Sequence, residues 1–410
     1  MTITYYKLHD MKILSRTTCP HCSYRKVNHT ANKINEIGET ALSLLLFQKH
    51  FRKLVFLLGD MGIALLLRLA LTLGLYRRAP NFERRKILGR SLVLLDEAKN
   101  QGLDLIPLTD RRGVFTDHFI LCLPNREYLF ESLPTNPKKK AIDIQTIDDK
   151  YLTKRLLMKH GLPHSPGNTF LAKWRGLTYG QKLGYPLVVK PRHGSQSSHV
   201  TMNINDEASL ARAIDMVKIY KEWYMVERYI PGDVHRITVI GNSLFAVKRL
   251  PPIIIGDGVR TIKELIDAKN QHPLRGNPRT PSQTLCWIPF DELLTTRLTE
   301  MGYTLDRILL KDQQLQLNEK INLSGGADIE DVTDQIHPTN QAVFLRLAKL
   351  FNTDILGIDY ISSGISRPWH EIPSAIIECN TIPSIDLHHF PSIGSPQNAA
   401  KEVLTLLRNS

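Results

Sequence analysis

The segment LGIDYI at residues 356–361 is an apolar run with one carboxylate, that of Asp359, in its middle. A second apolar run, AIIECN at residues 375–380, ends with the carboxylate of Glu378 and the amide of Asn380. The length and β-branched content of both runs predict buried strands. Because side chains alternate along a strand, Glu378 and Asn380 are expected to face the same way. A carboxylate on an apolar strand is costly unless it is paired or metal-bound.

These three side chains together predict a magnesium site. Oxygen ligands on neighbouring strands suit Mg²⁺, which completes its six positions with water and substrate phosphates. The residues leave one alternative open, which is a solvated strand end without a metal ion.

A strand that ends in a lysine lies upstream, at residues 185–191 (YPLVVKP). The small residues 194–198 (GSQSS) follow it directly, and such a loop can surround phosphate oxygens while Lys190 supplies a positive charge. The spacing differs from that of a Walker loop. Lys154 lies on a helix predicted over residues 151–160, where a lysine by itself indicates only a solvated face.

A hairpin is predicted from residues 235–240 and 244–249, joined by a turn at Gly241 and Asn242. Its cations could converge on an anionic substrate, and they are Arg236, Lys248 and Arg249. The alternative is that they are edge-strand charges that discourage aggregation.

Six further segments follow one another in a fixed order along the chain. They are residues 149–154 (DKYLTK), 226–232 (VERYIPG), 256–262 (GDGVRTI), 302–306 (GYTLD), 322–326 (NLSGG) and 331–338 (DVTDQIHP). With the strands above, this set resembles the ATP-grasp superfamily, and within it the ATP-grasp domain of cyanophycin synthetases. The resemblance covers roughly residues 148–405.

The resemblance implies an α+β fold in which two lobes, residues 148–250 and 251–405, clasp ATP. A basic, helical N-terminal segment (residues 1–79) and a small α/β domain (residues 80–147) would precede it. No segment resembles the Mur-ligase-like half of the family, so arginine addition is not expected of this chain.

The resemblance also implies roles for individual residues. Nucleotide contacts would come from Lys154, Lys190, Ser195, Ser197, Ser198, Glu227 and Asp233, with the two lysines gripping the ATP phosphates. Arg236 and Arg249 would lie near an acyl phosphate, and Asp359, Glu378 and Asn380 would hold Mg²⁺, with Mn²⁺ as the alternative ion.

The implied activity is an ATP-dependent carboxylate–amine ligase that acts on a small-molecule amino acid or peptide, with an acidic one favoured. The alternative is a non-catalytic ATP-binding or membrane-associated scaffold. It is favoured by serines in a phosphate loop that is glycine-rich in the family, and by Val234 where the family has aspartate.

The N-terminal part of the chain is strongly basic. Residues 1–100 contain 17 Lys/Arg and 7 Asp/Glu, out of 53 and 40 in the whole chain. Residues 54–76 are long and apolar enough to span a bilayer, but they include Asp60 and Arg68, which are costly there. A buried helical hairpin is therefore favoured over an interfacial or spanning helix, and residues 40–90 could contact a membrane peripherally.

Composition narrows the class of protein further. Its 410 residues, with 42% apolar and 23% charged side chains, predict two or three globular domains and exclude a mainly disordered or collagen-like chain. Five scattered cysteines predict a reducing, cytoplasmic location. The Cys19/Cys22 pair is interpreted as structural, with zinc or redox chemistry as alternatives. No specific nucleic-acid partner is expected, and the chain is expected to form a homo-oligomer.

Overall fold

The structure is a computed structural model, and it describes residues 28–34, 36, 68–124, 126–134, 147–194, 198–277, 280–318, 321 and 323–409. Several expectations fall outside these residues. They are the roles of Ser195 and Ser197, the Cys19/Cys22 pair, and residues 54–67 of the apolar stretch.

The strands of the described residues are numbered in chain order: β1 (Tyr76–Arg78), β2 (Asp104–Asp110), β3 (Phe115–Leu123), β4 (Arg126–Glu131), β5 (Gly167–Phe170), β6 (Leu187–Pro191), β7 (Thr201–Ile204), β8 (Tyr224–Arg228), β9 (Asp233–Ile240), β10 (Ser243–Leu250), β11 (Ile253–Ile255), β12 (Arg275–Gly276), β13 (Leu285–Cys286), β14 (Gln314–Gln316), β15 (Asp328–Asp331), β16 (Ile355–Ser362) and β17 (Ser374–Asn380). The α-helices with both ends described are α1 (Gly89–Asn100), α2 (Lys150–Lys159), α3 (Lys173–Leu183), α4 (Glu207–Tyr220), α5 (Ile262–Asn270), α6 (Glu292–Glu300), α7 (Pro338–Leu350), α8 (Asp386–His389) and α9 (Ala399–Arg408). Short 3₁₀ helices cover Arg84–Lys86, Leu323–Gly325 and Thr333–Gln335.

The N-terminal sheet is an antiparallel meander in the order β1-β2-β3-β4. Helix α1 packs on it. The apolar pattern predicts a helix at residues 91–99 and strands at residues 103–108 and 119–123, and the structure has these elements, with longer strands. The core of this sheet continues into α9 and into Ile240 and Phe245 of the hairpin β9–β10. Residues 80–147 as a separate domain therefore stay a prediction.

The middle sheet has the strand order β5-β8-β6-β7, and its neighbouring strands are antiparallel. Helices α3 and α4 cover it with apolar side chains such as Leu177, Leu210 and Val217. Helix α2 precedes this sheet, and it ends where Gly161 takes a positive φ of 62°, a conformation that favours glycine.

The C-terminal sheet has the order β15-β10-β9-β16-β17 and is antiparallel throughout. It includes the predicted hairpin, which is confirmed with Ile240 paired to Ser243 across the turn. Helix α7 packs on the sheet through Phe344 and Leu347. The hairpin therefore pairs with strands far beyond residue 250, and the division into lobes at that residue stays a prediction.

The end of the N-terminal apolar stretch does not continue as a helix. Residues 68–72 are helical, Gly74 has a positive φ of 65°, and Tyr76 begins β1, which pairs with β2. Leu69 and Leu73 are 50% and 58% exposed, so this described part is not the buried hairpin that was expected. Among the described residues, no helix has both the length and the apolar content needed to cross a membrane.

Candidate functional site

Two lysines form ion pairs with one buried glutamate in the candidate site. Glu227, on β8, places Oε1 3.0 Å from Lys154 Nζ and Oε2 2.9 Å from Lys190 Nζ. We call these three residues the lysine–glutamate cluster, and each is less than 8% exposed. Burial raises the pKa of Glu227, but the two ammonium groups outweigh it and lower this pKa to about 2. One carboxylate between two cations leaves one positive charge in excess.

Local structure explains why Lys154 points to this place. Asp149 caps the N-terminus of α2 by accepting hydrogen bonds from the backbone N–H groups of Tyr151 and Leu152, at 2.9 and 3.1 Å. Arg192, just after β6, pairs with the same carboxylate at 2.6 Å. The start of α2 is therefore tied to the strand end that carries Lys190.

A second charged group lies on the C-terminal sheet. Asp359 of β16 pairs in register with Arg236 of β9, and its Oδ1 is 2.7 Å from Arg236 Nε. Arg249 of β10 donates to both Asp359 oxygens at 3.4 Å. We call these residues the carboxylate–arginine cluster. Burial raises the pKa of Asp359, but the two guanidinium groups prevail, so the carboxylate is held ionised.

Strand β17 brings the other two predicted ligands beside Asp359. Glu378 pairs with Asp359 and Asn380 pairs with Gly357, so the predicted shared face of Glu378 and Asn380 is confirmed. A Cβ at Gly357 would lie 2.9 Å from Arg236 Nη1 and 3.5 Å from the Cβ of Asn380. A side chain at this position would therefore require the Arg236 guanidinium to shift away from its place beside Asp359.

A β-bulge interrupts the ladder at this point. Asp359 pairs with Glu378, but the next residue of β16 pairs with Ile376, so Ile377 is the extra residue of β17. Its carbonyl oxygen accepts a hydrogen bond from Lys190 Nζ at 3.4 Å. The bulge thus links the lysine–glutamate cluster directly to the strand that carries Glu378.

Lys150 makes a second link, for which its position in the sequence predicts no role. Its Nζ lies 3.3 Å from Glu378 Oε1 and donates to the backbone oxygen of Gly194 at 2.6 Å. Lys150 precedes Lys154 by four residues, so both lie on one face of α2. The four-residue spacing of the two lysines is visible in DKYLTK. The sequence does not show that Lys150 pairs with Glu378, because the two are 228 residues apart.

The donor set of Asp359, Glu378 and Asn380 fits a hard cation, since it offers carboxylate and amide oxygens. The Asn380 Nδ2 is buried and has no hydrogen-bond partner among the described residues. The described chain contains no group of three or more His, Cys, Asp or Glu residues arranged to hold a metal. The metal-binding role of the two carboxylates and the amide stays a prediction.

Two other predicted contacts are placed differently. Asp233, at the start of β9, pairs with Lys248 Nζ at 2.8 Å, and its side chain is 44% exposed. Ser198 is half-buried beyond the undescribed residues 195–197. Their nucleotide-binding roles stay predictions.

Two histidines follow β17, where polar residues predict a loop, but both lie in the short helix α8. His388 lies in α8, is fully buried, and contacts Thr238 Oγ1 through Nε2 at 2.8 Å. His389 Nε2 accepts a hydrogen bond from the backbone N–H of Ala400 at 3.1 Å. Burial lowers the pKa of His388 to about 3 and that of His389 to about 4. Both are therefore neutral packing residues.

The chain is similar to several known proteins. It is 35% identical over 277 residues to a cyanophycin synthetase of Synechocystis sp., which covers 65% of this chain and 31% of that protein. It is 31% identical over 327 residues to a glutathione biosynthesis bifunctional protein of Mannheimia succiniciproducens, which covers 77% of this chain and 42% of that protein. No protein-family model matches the chain.

A solved structure supports the same fold. The crystal structure of a bifunctional glutathione synthetase from Pasteurella multocida matches with a TM-score of 0.62 at 24% identity, over 79% of this chain and 44% of that one. The chain thus spans less than half the length of these relatives. Its resemblance to the ATP-grasp portion of cyanophycin synthetase and the α+β fold class are confirmed.

Proposed function

We propose that this chain is an ATP-dependent carboxylate–amine ligase, which forms an amide bond through an acyl phosphate and releases ADP and phosphate. One observation carries the proposal. Lys190 of the lysine–glutamate cluster donates to the Ile377 carbonyl of β17, and Lys150 of α2 pairs with Glu378 of the same strand, so two lysines contact the strand that carries Glu378 and Asn380. Excess positive charge thus lies beside oxygen ligands for a cation, as a metal-bound polyphosphate requires. The similarity to cyanophycin synthetases supports the proposal.

Each charged group has a role in this reaction. Lys154 and Lys190 bind phosphate oxygens, while Glu227 fixes both ammonium groups in place. Asp359, Glu378 and Asn380 hold Mg²⁺, for which Mn²⁺ is an alternative. Bound with this metal, ATP supplies the phosphoryl group that activates a carboxylate for attack by an amine. The protein contributes fixed charges where negative charge develops, so no reorganisation is needed during the reaction.

The carboxylate–arginine cluster bears on the substrate. Two guanidinium groups share one aspartate, so one positive charge is left over. Arg249 Nε is buried and has no hydrogen-bond partner within the described part of the chain. A carboxylate of the substrate would satisfy both the charge and the donor, which favours an acidic amino acid or the end of an acidic peptide.

The test is ADP formation by the purified chain with Mg²⁺-ATP and a panel of amino acids and short peptides. Stimulation by one carboxylate–amine pair, with phosphate as co-product and one amide bond per acceptor by mass spectrometry, is the expected result. Pyrophosphate with AMP would overturn the acyl-phosphate route. Nucleotide binding without turnover on any pair would favour the non-catalytic scaffold.

Peripheral membrane contact through residues 40–90 is a second proposal. In its described part, Leu69 and Leu73 are exposed, and so are the cations Arg68 and Arg77. Exposed apolar and basic side chains within one short segment suit an anionic lipid surface. Co-sedimentation with vesicles that contain anionic lipid, compared with neutral vesicles, tests this contact. The cytoplasmic location and the homo-oligomer also stay predictions, and light scattering after size-exclusion chromatography measures the oligomeric state.

A further inference from the structure

Lys150 is a buried cation to which the proposed reaction assigns no contact with ATP, metal or substrate. It is 8% exposed, and its ammonium group lies between Glu378 Oε1 at 3.3 Å and the Gly194 carbonyl oxygen at 2.6 Å. The residue before it, Asp149, is the helix cap that Arg192 holds. The ammonium group is therefore held in place from both sides, next to a candidate metal ligand.

The positive charges of the protein already outnumber the negative charges of the candidate metal ligands. The carboxylate–arginine cluster contains one negative and two positive charges, and the Lys150–Glu378 pair contains one of each. Further out, the lysine–glutamate cluster adds one net positive charge, and Asp148, which accepts hydrogen bonds from Thr381, adds one negative charge. The net charge is therefore +1, whether or not these outer groups are counted. A divalent cation that enters alone thus meets a site that is already positive.

Resting on the proposed function, we propose that Lys150 makes divalent-metal binding conditional on nucleotide. Lys150 is paired with Glu378 in the structure. Glu378 can bind a metal ion only when another anion pairs with Lys150. A nucleotide polyphosphate brings several negative charges, and its oxygens can take over the pairing with the ammonium group. Lys150 acts through Glu378, so it is a positioning residue. Because binding free energies are reciprocal, nucleotide and metal raise each other's affinity by one coupling factor.

The test is calorimetric titration of Mn²⁺ into the full chain, alone and with saturating AMPPNP. Wild-type protein should bind Mn²⁺ weakly alone and tightly with AMPPNP. Lys150→Gln keeps a donor for the Gly194 carbonyl but removes the charge. Its affinity for Mn²⁺ alone should rise about tenfold or more, the scale expected for one unit charge a few ångströms away in a partly buried site, and the coupling factor should fall correspondingly.

Two controls separate charge from structure. Lys150→Arg keeps the charge and should retain the wild-type coupling factor. Lys263→Gln removes a cation from an exposed pair with Asp267, whose side chains are 55% and 42% exposed, and it should leave every affinity unchanged. Circular dichroism checks folding, and Lys150→Met is the second variant if the glutamine variant does not fold.

The outcomes are distinct. Wild-type binding of Mn²⁺ with AMPPNP, combined with an unchanged affinity of Lys150→Gln for Mn²⁺ alone, would overturn this inference and leave the proposed function intact. Failure of the wild type to bind Mn²⁺ with AMPPNP would overturn the proposed function, and this inference with it.

Discussion

Replacement of Glu227 by glutamine should be the most destabilising conservative change in the candidate site. The variant keeps the shape of the side chain but removes the charge that Lys154 and Lys190 share at 3.0 and 2.9 Å. Two ammonium groups, 6% and 7% exposed, then remain buried without a carboxylate. Removing one partner of a buried pair costs about 3–5 kcal/mol. Urea denaturation at pH 7, followed by circular dichroism, should show a loss of that size in the free energy of unfolding.

The reasoning depends on burial, so its control is an exposed pair. Asp267→Asn breaks the ion pair with Lys263 at 2.8 Å on the surface of α5, where solvent and salt screen both charges, and no measurable loss is expected. Combining Glu227→Gln with Lys154→Met should recover part of the lost stability, because one uncompensated cation is removed. If Glu227→Gln costs no more than Asp267→Asn, the lysine–glutamate cluster is not the buried charge network described here.

Three further measurements follow from the structure. Glu378→Gln should lower turnover on the order of 10²-fold or more, measured as ADP release. It should also lower the melting temperature, because the Lys150 side chain, 8% exposed, loses its carboxylate partner; unchanged turnover would contradict the ligand role. Burial lowers the pKa of His235 and of His389 to about 4 and that of His388 to about 3. The unfolded chain therefore takes up protons at these histidines first, so their contribution to the free energy of unfolding should fall from pH 6.5 toward pH 4, by roughly 2 kcal/mol per histidine at pH 5. Asp117 and Asp148, whose pKa burial raises to about 6, offset part of this loss. Urea titrations at pH 7 and pH 5 measure the net change, and a denaturation midpoint that does not fall at pH 5 would refute it. Membrane binding through residues 77–90 should be released by high salt in fractionation, whereas a need for detergent would point to an inserted helix.

The sequence predicts the parts of the fold that depend on local pattern. Strands β16 and β17 are apolar runs of β-branched residues, and the hairpin β9–β10 has its turn at Gly241, where φ is positive at 61°. The period of two also predicts correctly that Glu378 and Asn380 share a face. These features depend on neighbours in the chain, so composition and alternation are sufficient to find them.

The remaining features of the site depend on contacts between distant residues. Lys150 looks like any helical lysine until β17 brings Glu378 to it from 228 residues away. His388 is polar in sequence, but α8 packs it against Thr238 of β9, and no periodic signal marks a four-residue helix. Burial of a polar side chain is decided by tertiary packing, which single-residue preferences do not encode.

The bulge at Ile377 separates the requirement for a residue from the requirement for its side chain. What reaches Lys190 is the Ile377 carbonyl oxygen, which every amino acid possesses. Replacement by valine or leucine should thus be tolerated. Deletion of the residue would leave Ile376 and Glu378 adjacent and their β16 partners unchanged, yet remove the acceptor. A mutational scan that includes single-codon deletions should therefore find that this position tolerates substitution but not deletion. The number of residues in the strand is then under stronger constraint than the identity of this side chain.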